Sequence, residues 1–180
     1  MLKKALNIPY NGIKQTKKRL MQRNNQIGFL VEDTSSSQLS FNLIKNINTY
    51  LEDKSCDFTV FFENSSASVL NPNFALMSIN EVWSFNGALI ATNIATARSL
   101  SKCFATKKKF FYVWDIEWTR ERVKSVTPYE MTVQAFSDPD IKLIARSEDH
   151  ARAIENYCNR KITDIVNDFN IEKLVRITNE

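Results

Sequence analysis

Trp114, Asp115, Glu117, Trp118 and Arg120 stand within a single short stretch, FFYVWDIEWTR, spanning 110–120. Two carboxylates two residues apart lie on one side of an extended chain, where they can hold a divalent cation between themselves and a phosphate. The plainer reading leaves Glu117 in solvent or paired with Arg120 or Arg122, Asp115 capping a loop or pairing with Arg120, and both tryptophans anchoring a strand end. The stretch is therefore either the lip of a site or a fastening point, and the elements around it decide which.

Those elements alternate. QIGFLVED (26–33) reads as a strand buried on both faces. Thr34 and Ser35 offer helix caps before Leu39, Leu43, Ile47 and their neighbours at helical spacing. DFTVFFEN is a second strand, FALMSINEVWSF a short helix, and GALIATN a third strand entered through Gly87. IATARSLSKC follows as helix, KKKFFYVWD as the fourth strand, and a further helix begins near Pro128. DIKLIAR is a strand after the turn Asp138-Pro139-Asp140, and SEDHARAIENYC is a helix capped by Ser147 with two acids in its first turn. KITDIV makes a sixth short strand and NIEKLVRI a last helix. Strands separated by helices predict an α/β domain over 26–180 with a single doubly wound, mostly parallel sheet.

In such a sheet, ligands bind outside the carboxyl ends of the strands, near the reversal of strand order. The candidates are then Glu32, Asp33, Thr34 and Ser35 after the first strand, Glu63, Asn64 and Ser65 after the second, and Thr92 and Asn93 after the third. Trp114, Asp115, Glu117 and Trp118 follow the fourth strand, and Arg146, Ser147, Glu148 and His150 the fifth. His150 in the first turn of its helix could meet a phosphate or simply face solvent.

Several chemistries are excluded. With three glycines in the chain and no Gly-x-Gly-x-x-Gly or Walker sequence, the first strand-to-helix turn cannot bring backbone against a pyrophosphate. One histidine rules out a multi-histidine metal site, and neither a Gly-x-Ser-x-Gly elbow nor a recognisable Cys/His pair is present.

The 43% hydrophobic share suits one packed domain. No apolar run approaches the roughly 20 residues that span a bilayer, and the N-terminus lacks a secretory h-region. The expectation is a cytoplasmic protein without a membrane span, with Cys56, Cys103 and Cys158 as free thiols. Residues 1–25 carry seven basic side chains and no acid, so against a net charge of +4 the rest of the chain is −3. That basic N-terminal arm reads as a solvated tail or a tether to an acidic partner such as nucleic acid or an anionic membrane surface, with no interleaved aromatics to favour nucleic acid.

The segment IKLIARSEDHARAIENYCNRKITDIVNDFNIEKL resembles the end of the N-terminal, acceptor-side Rossmann-like domain of GT-B glycosyltransferases, with Val166 to Asn170 similar to the turn that leads into the family's donor domain. FFYVWDIEW is similar to the family's fourth-strand end, with Asp115 in place of the aspartate of its His-Asp pair and Trp114 where the histidine stands. Together with IGFLVEDTSSSQLSFNLI, the set resembles short glycosyltransferase-like proteins of marine tailed phages. EDTSSSQ replaces the family's glycine-rich first loop, and the likeness reaches the acceptor half alone.

The resemblance implies an acceptor site for transfer from a nucleotide sugar, which is a substrate, so that no cofactor is expected. Asp115 would be the general base, and Trp114 and Trp118 would stack on the acceptor ring. Glu32, Asp33, Ser35, Asn64, Glu117, Arg146, Ser147 and His150 would line the site. The donor half would come from another chain or from a homo-oligomer, in a host cytoplasm or a virion. Two other readings stand beside it: a non-catalytic binding or virion-associated protein built on the same half-domain, and an unrelated doubly wound domain that binds a small nucleotide-like ligand.

Overall fold

A computed structural model of the chain describes residues 26–35, 37–54, 56–64, 67–68, 70–117 and 126–180, and of 126–129 the helical backbone only. The basic arm, Ser65, Trp118, Arg120 and Arg122 lie outside the described residues.

Among the described residues seven strands form one all-parallel sheet: β1 (Gln26–Asp33), β2 (Asp57–Asn64), β3 (Ala75–Ser78), β4 (Ala88–Ala91), β5 (Lys109–Val113), β6 (Ile141–Ala145) and β7 (Asp164–Ile165). Their order is β3-β2-β1-β4-β5-β6-β7, so the winding reverses between β1 and β4. Every residue of β4 and β5 is buried, which is why ALIA and the FFYV of β5 read as unbroken apolar runs.

One strand differs from the expectation. Residues 75–78, read from sequence as part of a short helix, pair with β2 from Thr59↔Ala75 to Phe62↔Ser78, and a 3-10 helix over Ile79–Ser84 follows. Ala, Leu and Met favour helix intrinsically, but the open edge of β2 offers a ladder, and tertiary pairing overrides so small a preference.

Helices cover both faces. α1 (Gln38–Asp53) and α5 (Ile171–Asn179) pack on the face carrying Ile27, Phe29, Val31, Val60, Ile90 and Tyr112. α2 (Ile94–Ser101), α3 (Val126–Ser137) and α4 (Glu148–Cys158) pack on the other, against Leu30, Phe61, Leu89, Phe111, Val113 and Leu143. Ser147 caps α4 as its sequence foretells. The cap of α1 is Ser37, displaced from the expected Thr34 and Ser35; Ser35 is drawn back to the Asp33 carboxylate at the end of β1.

Gly87 is fixed by close approach, because a Cβ there would stand 2.3 Å from the Gln26 carbonyl oxygen as the chain enters β4 beside β1. Arg160 ties the amino side of the sheet: its guanidinium donates to the carbonyls of Phe136, Asp138 and Ile141 at 2.8–2.9 Å, joining the end of α3 to the start of β6. None of the three cysteines is in a disulfide. Among the described residues no helix is long and apolar enough to cross a membrane.

Candidate functional site

The reversal between β1 and β4 opens the carboxyl edge at Glu32, Asp33, Thr92 and Asn93. On the α2 side a polar row crosses four strands. Register pairs Val31 with Phe62 and Asp33 with Asn64, which sets Glu32 beside Glu63. The Glu63 carboxyl is pushed up from its ordinary range by partial burial and then by the charge of Glu32. Asn93 Nδ2 donates to Glu32 Oε2 at 3.3 Å, while Asn93 Oδ1 accepts the Thr96 N–H at 2.7 Å in a capping box that opens α2. Glu117, reaching in from beyond β5, accepts the Ile94 N–H at 3.2 Å. The positive end of α2 is therefore already met by a carboxylate.

On the α1 side the first strand-to-helix turn is knotted by short side chains. The Asp33 carboxylate accepts the Ser35 N–H at 2.8 Å and the Ser35 hydroxyl as well, and Ser40 Oγ donates to the Asp33 carbonyl at 2.9 Å. Asn64 ends β2 next to Asp33 and is exposed. Where a glycine-rich loop would present N–H groups to a phosphate, this turn presents carboxylate and hydroxyl groups.

Farther along the same edge, Trp114 is 8% exposed. Its ring stacks on Phe169 at 5.0 Å between centroids, and the Arg146 guanidinium lies 4.0 Å from its centroid. Arg146 also pairs with Asp168 at 3.0 Å. Asp168 and Phe169 both have positive φ, 44° and 52°, in the left-handed region, which aspartate tolerates and a bulky aromatic residue rarely adopts. Two side chains hold this conformation. Asn46 Nδ2 donates to the carbonyls of Asp168 and Phe169, the Tyr112 hydroxyl donates to the Val166 carbonyl at 2.7 Å, and that same hydroxyl accepts the Phe169 N–H at 3.3 Å. Trp114 is thus a fastening point whose ring is already covered.

Burial pushes the Tyr112 phenol up to about 12, with the bond from the Phe169 N–H and the charge of Arg146 pulling the other way. The folded value lies above the unfolded one of about 10, so folding favours the neutral phenol. Its contribution, about 3 kcal/mol, is complete below about pH 10 and lost as pH rises through about 12. In urea titrations across that window, wild-type stability should fall more steeply than that of Tyr112→Phe. Parallel profiles would contradict the assignment.

Asp115 is half-buried just past β5, and its Oδ1 accepts the Ile116 N–H at 2.9 Å. The proposed cation pair with Glu117 requires an extended chain, whereas the ladder ends at Val113 and the chain turns, sending Glu117 to α2. Among the described residues no group of three or more histidine, cysteine or acidic side chains could hold a metal ion. Ser147 is engaged in capping α4 through the His150 N–H. His150 is half-buried, and its Nδ1 is enclosed without a hydrogen-bond partner.

The structure thus brings Glu32, Glu117 and Asn93 together with Glu63, and Asp33 with Ser35 and Asn64, while Trp114 and Arg146 form a separate group with Asp168. Asn46 and Tyr112, which hold that group, were not among the sequence candidates. A tyrosine inside an otherwise apolar central strand was the available signal, since a buried hydroxyl needs a partner.

Fold and edge together define a Rossmann-like, doubly wound α/β domain with an acidic, amide-bearing carboxyl rim. No family model matches the chain, and no curated protein or solved structure matches it either.

Proposed function

We propose that this domain is the acceptor-side half of a GT-B-like sugar-transfer protein, holding a hydroxyl-rich acceptor at the carboxyl rim while a donor domain on another chain supplies the nucleotide sugar. The observation that supports this most is the row Glu63, Glu32, Asn93 and Glu117 beside Asp33 and Asn64. Carboxylates and side-chain amides accept hydrogen bonds from sugar hydroxyls. The same row repels a diphosphate, and Glu117 already occupies the helix end that would bind one. In the transfer, Asp115 takes the acceptor hydroxyl's proton as its oxygen attacks the anomeric carbon, and the bond to the nucleoside diphosphate breaks with its electron pair leaving on the diphosphate.

The test is a panel of oligosaccharides and nucleotide sugars, read by binding to this chain and by transfer in the assembled complex. Oligosaccharide binding without tight nucleotide-sugar binding is the expected result, and Asp115→Asn should lower transfer by about 10²-fold. Transfer left intact in a folded Asp115→Asn protein would remove that residue from the mechanism, and nucleotide-sugar binding without glycan binding would overturn the acceptor assignment. A second reading, a non-catalytic binding protein of a host cytoplasm or virion, is favoured by the engagement of Asp115 in its own turn. It predicts glycan binding with no transfer from any donor.

A further inference from the structure

The amino edge of the sheet, opposite the rim discussed above, holds a cleft of about 340 Å³ between the end of α2, the entry to β5 and the turn before β6. Cys103, Phe104, Thr106, Lys107, Lys109 and Asp140 line it. The volume lies at the small end of the ligand-pocket range.

Lys109 is the unusual member. As the first residue of β5, paired with Leu89 and Ile141, it is drawn inward until only 8% of it is exposed. Its ammonium donates to one neutral acceptor, the Ser101 carbonyl at 3.3 Å, and stands 6.0 Å from the centre of the Phe104 ring. Among the described residues no carboxylate comes within ion-pair distance of it. An ammonium has three protons to donate, so most of its bonding capacity points into the cleft unused. On so buried a residue, an ammonium without a counter-charge among the described residues is a costly arrangement, which a bound anion relieves.

The neighbours complete a site. Lys108 turns away and fastens the segment to α5 through the Thr178 carbonyl at 2.8 Å, leaving Lys107 and Lys109 on the cleft side. Thr106 is buried, and its Oγ1 accepts the Lys108 N–H at 3.1 Å, which leaves its own proton to give. Phe104 is 88% exposed at the mouth and presents a large apolar ring face there.

We propose that this cleft binds a small ligand with an oxyanion, carboxylate or phosphate, attached to a planar ring. The oxyanion sits on Lys109, Lys107 and the Thr106 hydroxyl, and the ring covers Phe104. Asp140 on the rim opposes excess negative charge and so weakens the binding of a dianion. None of these residues belongs to the carboxyl rim, so the assignment stands independently of the proposed function.

The experiment is calorimetric titration of the full chain with phenyl phosphate, benzoate and inorganic phosphate. Phenyl phosphate or benzoate should bind saturably at millimolar concentration, and phenyl phosphate should bind more tightly than inorganic phosphate. Lys109→Met, which keeps the apolar stem, should weaken binding at least about tenfold. Phe104→Ala should abolish the preference for phenyl phosphate over inorganic phosphate, and Asp140→Asn should tighten phenyl phosphate a few-fold. If Lys109→Met does not fold, Lys107→Met combined with Thr106→Val reads the same loss. Absence of saturable binding by either ring-bearing probe, unchanged affinity in Lys109→Met, or an equal loss in Lys54→Met, whose ammonium pairs with Glu172 and does not line the cleft, would each overturn the proposal.

Discussion

Replacing Phe111 by alanine should lower the free energy of unfolding by about 3 to 5 kcal/mol. Phe111 is the middle residue of β5, flanked in the sheet by Ala91 and Leu143, and its ring meets Phe136 of α3 at 5.2 Å between centroids. Both strand neighbours are held by their own ladders, so the surroundings cannot collapse onto the space the ring leaves, and the cavity cost adds to the lost burial. Urea denaturation followed by circular dichroism measures it. A loss below about 1 kcal/mol, the level of an ordinary surface change, would mean that the face bearing α2, α3 and α4 is not packed as described.

Trp114→Ala should cost a comparable amount, about 3 to 5 kcal/mol, although the residue lies outside the ladder at the edge where ligands bind in this fold. The indole covers Phe169 and contacts Tyr112, and it gives the Arg146 guanidinium an aromatic surface. Its removal opens a cavity on the α1 and α5 face and leaves Arg146 held by Asp168 alone among these partners. A tryptophan kept as a platform for ligands would behave differently, costing under about 1 kcal/mol in the free protein. Equilibrium unfolding without ligand therefore separates the two roles. Because Trp114 and Phe111 belong to separate hydrophobic clusters, their losses report on different faces of the sheet.

The sheet was legible in the sequence where strands are central and buried on both faces. KFFYV, ALIA and IKLIA are continuous or nearly continuous apolar runs because neighbours cover them from both sides. β3 was not legible: at an edge, with alternate residues exposed, ALMS carries no stronger signal for strand than for helix. The cap of α1 was misplaced by two or three residues because EDTSSSQ offers hydroxyls in succession, and the choice among them depends on which ones Asp33 captures. At the site, position along the chain was enough to put Glu32, Asp33, Asn64 and Asp115 at the carboxyl edge. What each side chain does there depended on partners far away in sequence. Glu117 meets Ile94 and Trp114 meets Phe169, contacts that no local pattern encodes.

The sheet tapers toward its rims. β3 offers four residues of open ladder on one side, and β7 only two on the other, where the Asp164 side chain is tied inward to Lys142 at 3.0 Å. Unpaired backbone along an outer strand is the template on which sheets of separate molecules join, and its reach is set by the length and flatness of that strand. With so little of it on either rim, two copies of the described domain gain few bonds by continuing one sheet into another. Association through these residues is steered instead toward side chains on the helical layers and the two ends of the strands, where geometry and charge discriminate among partners and a backbone ladder does not.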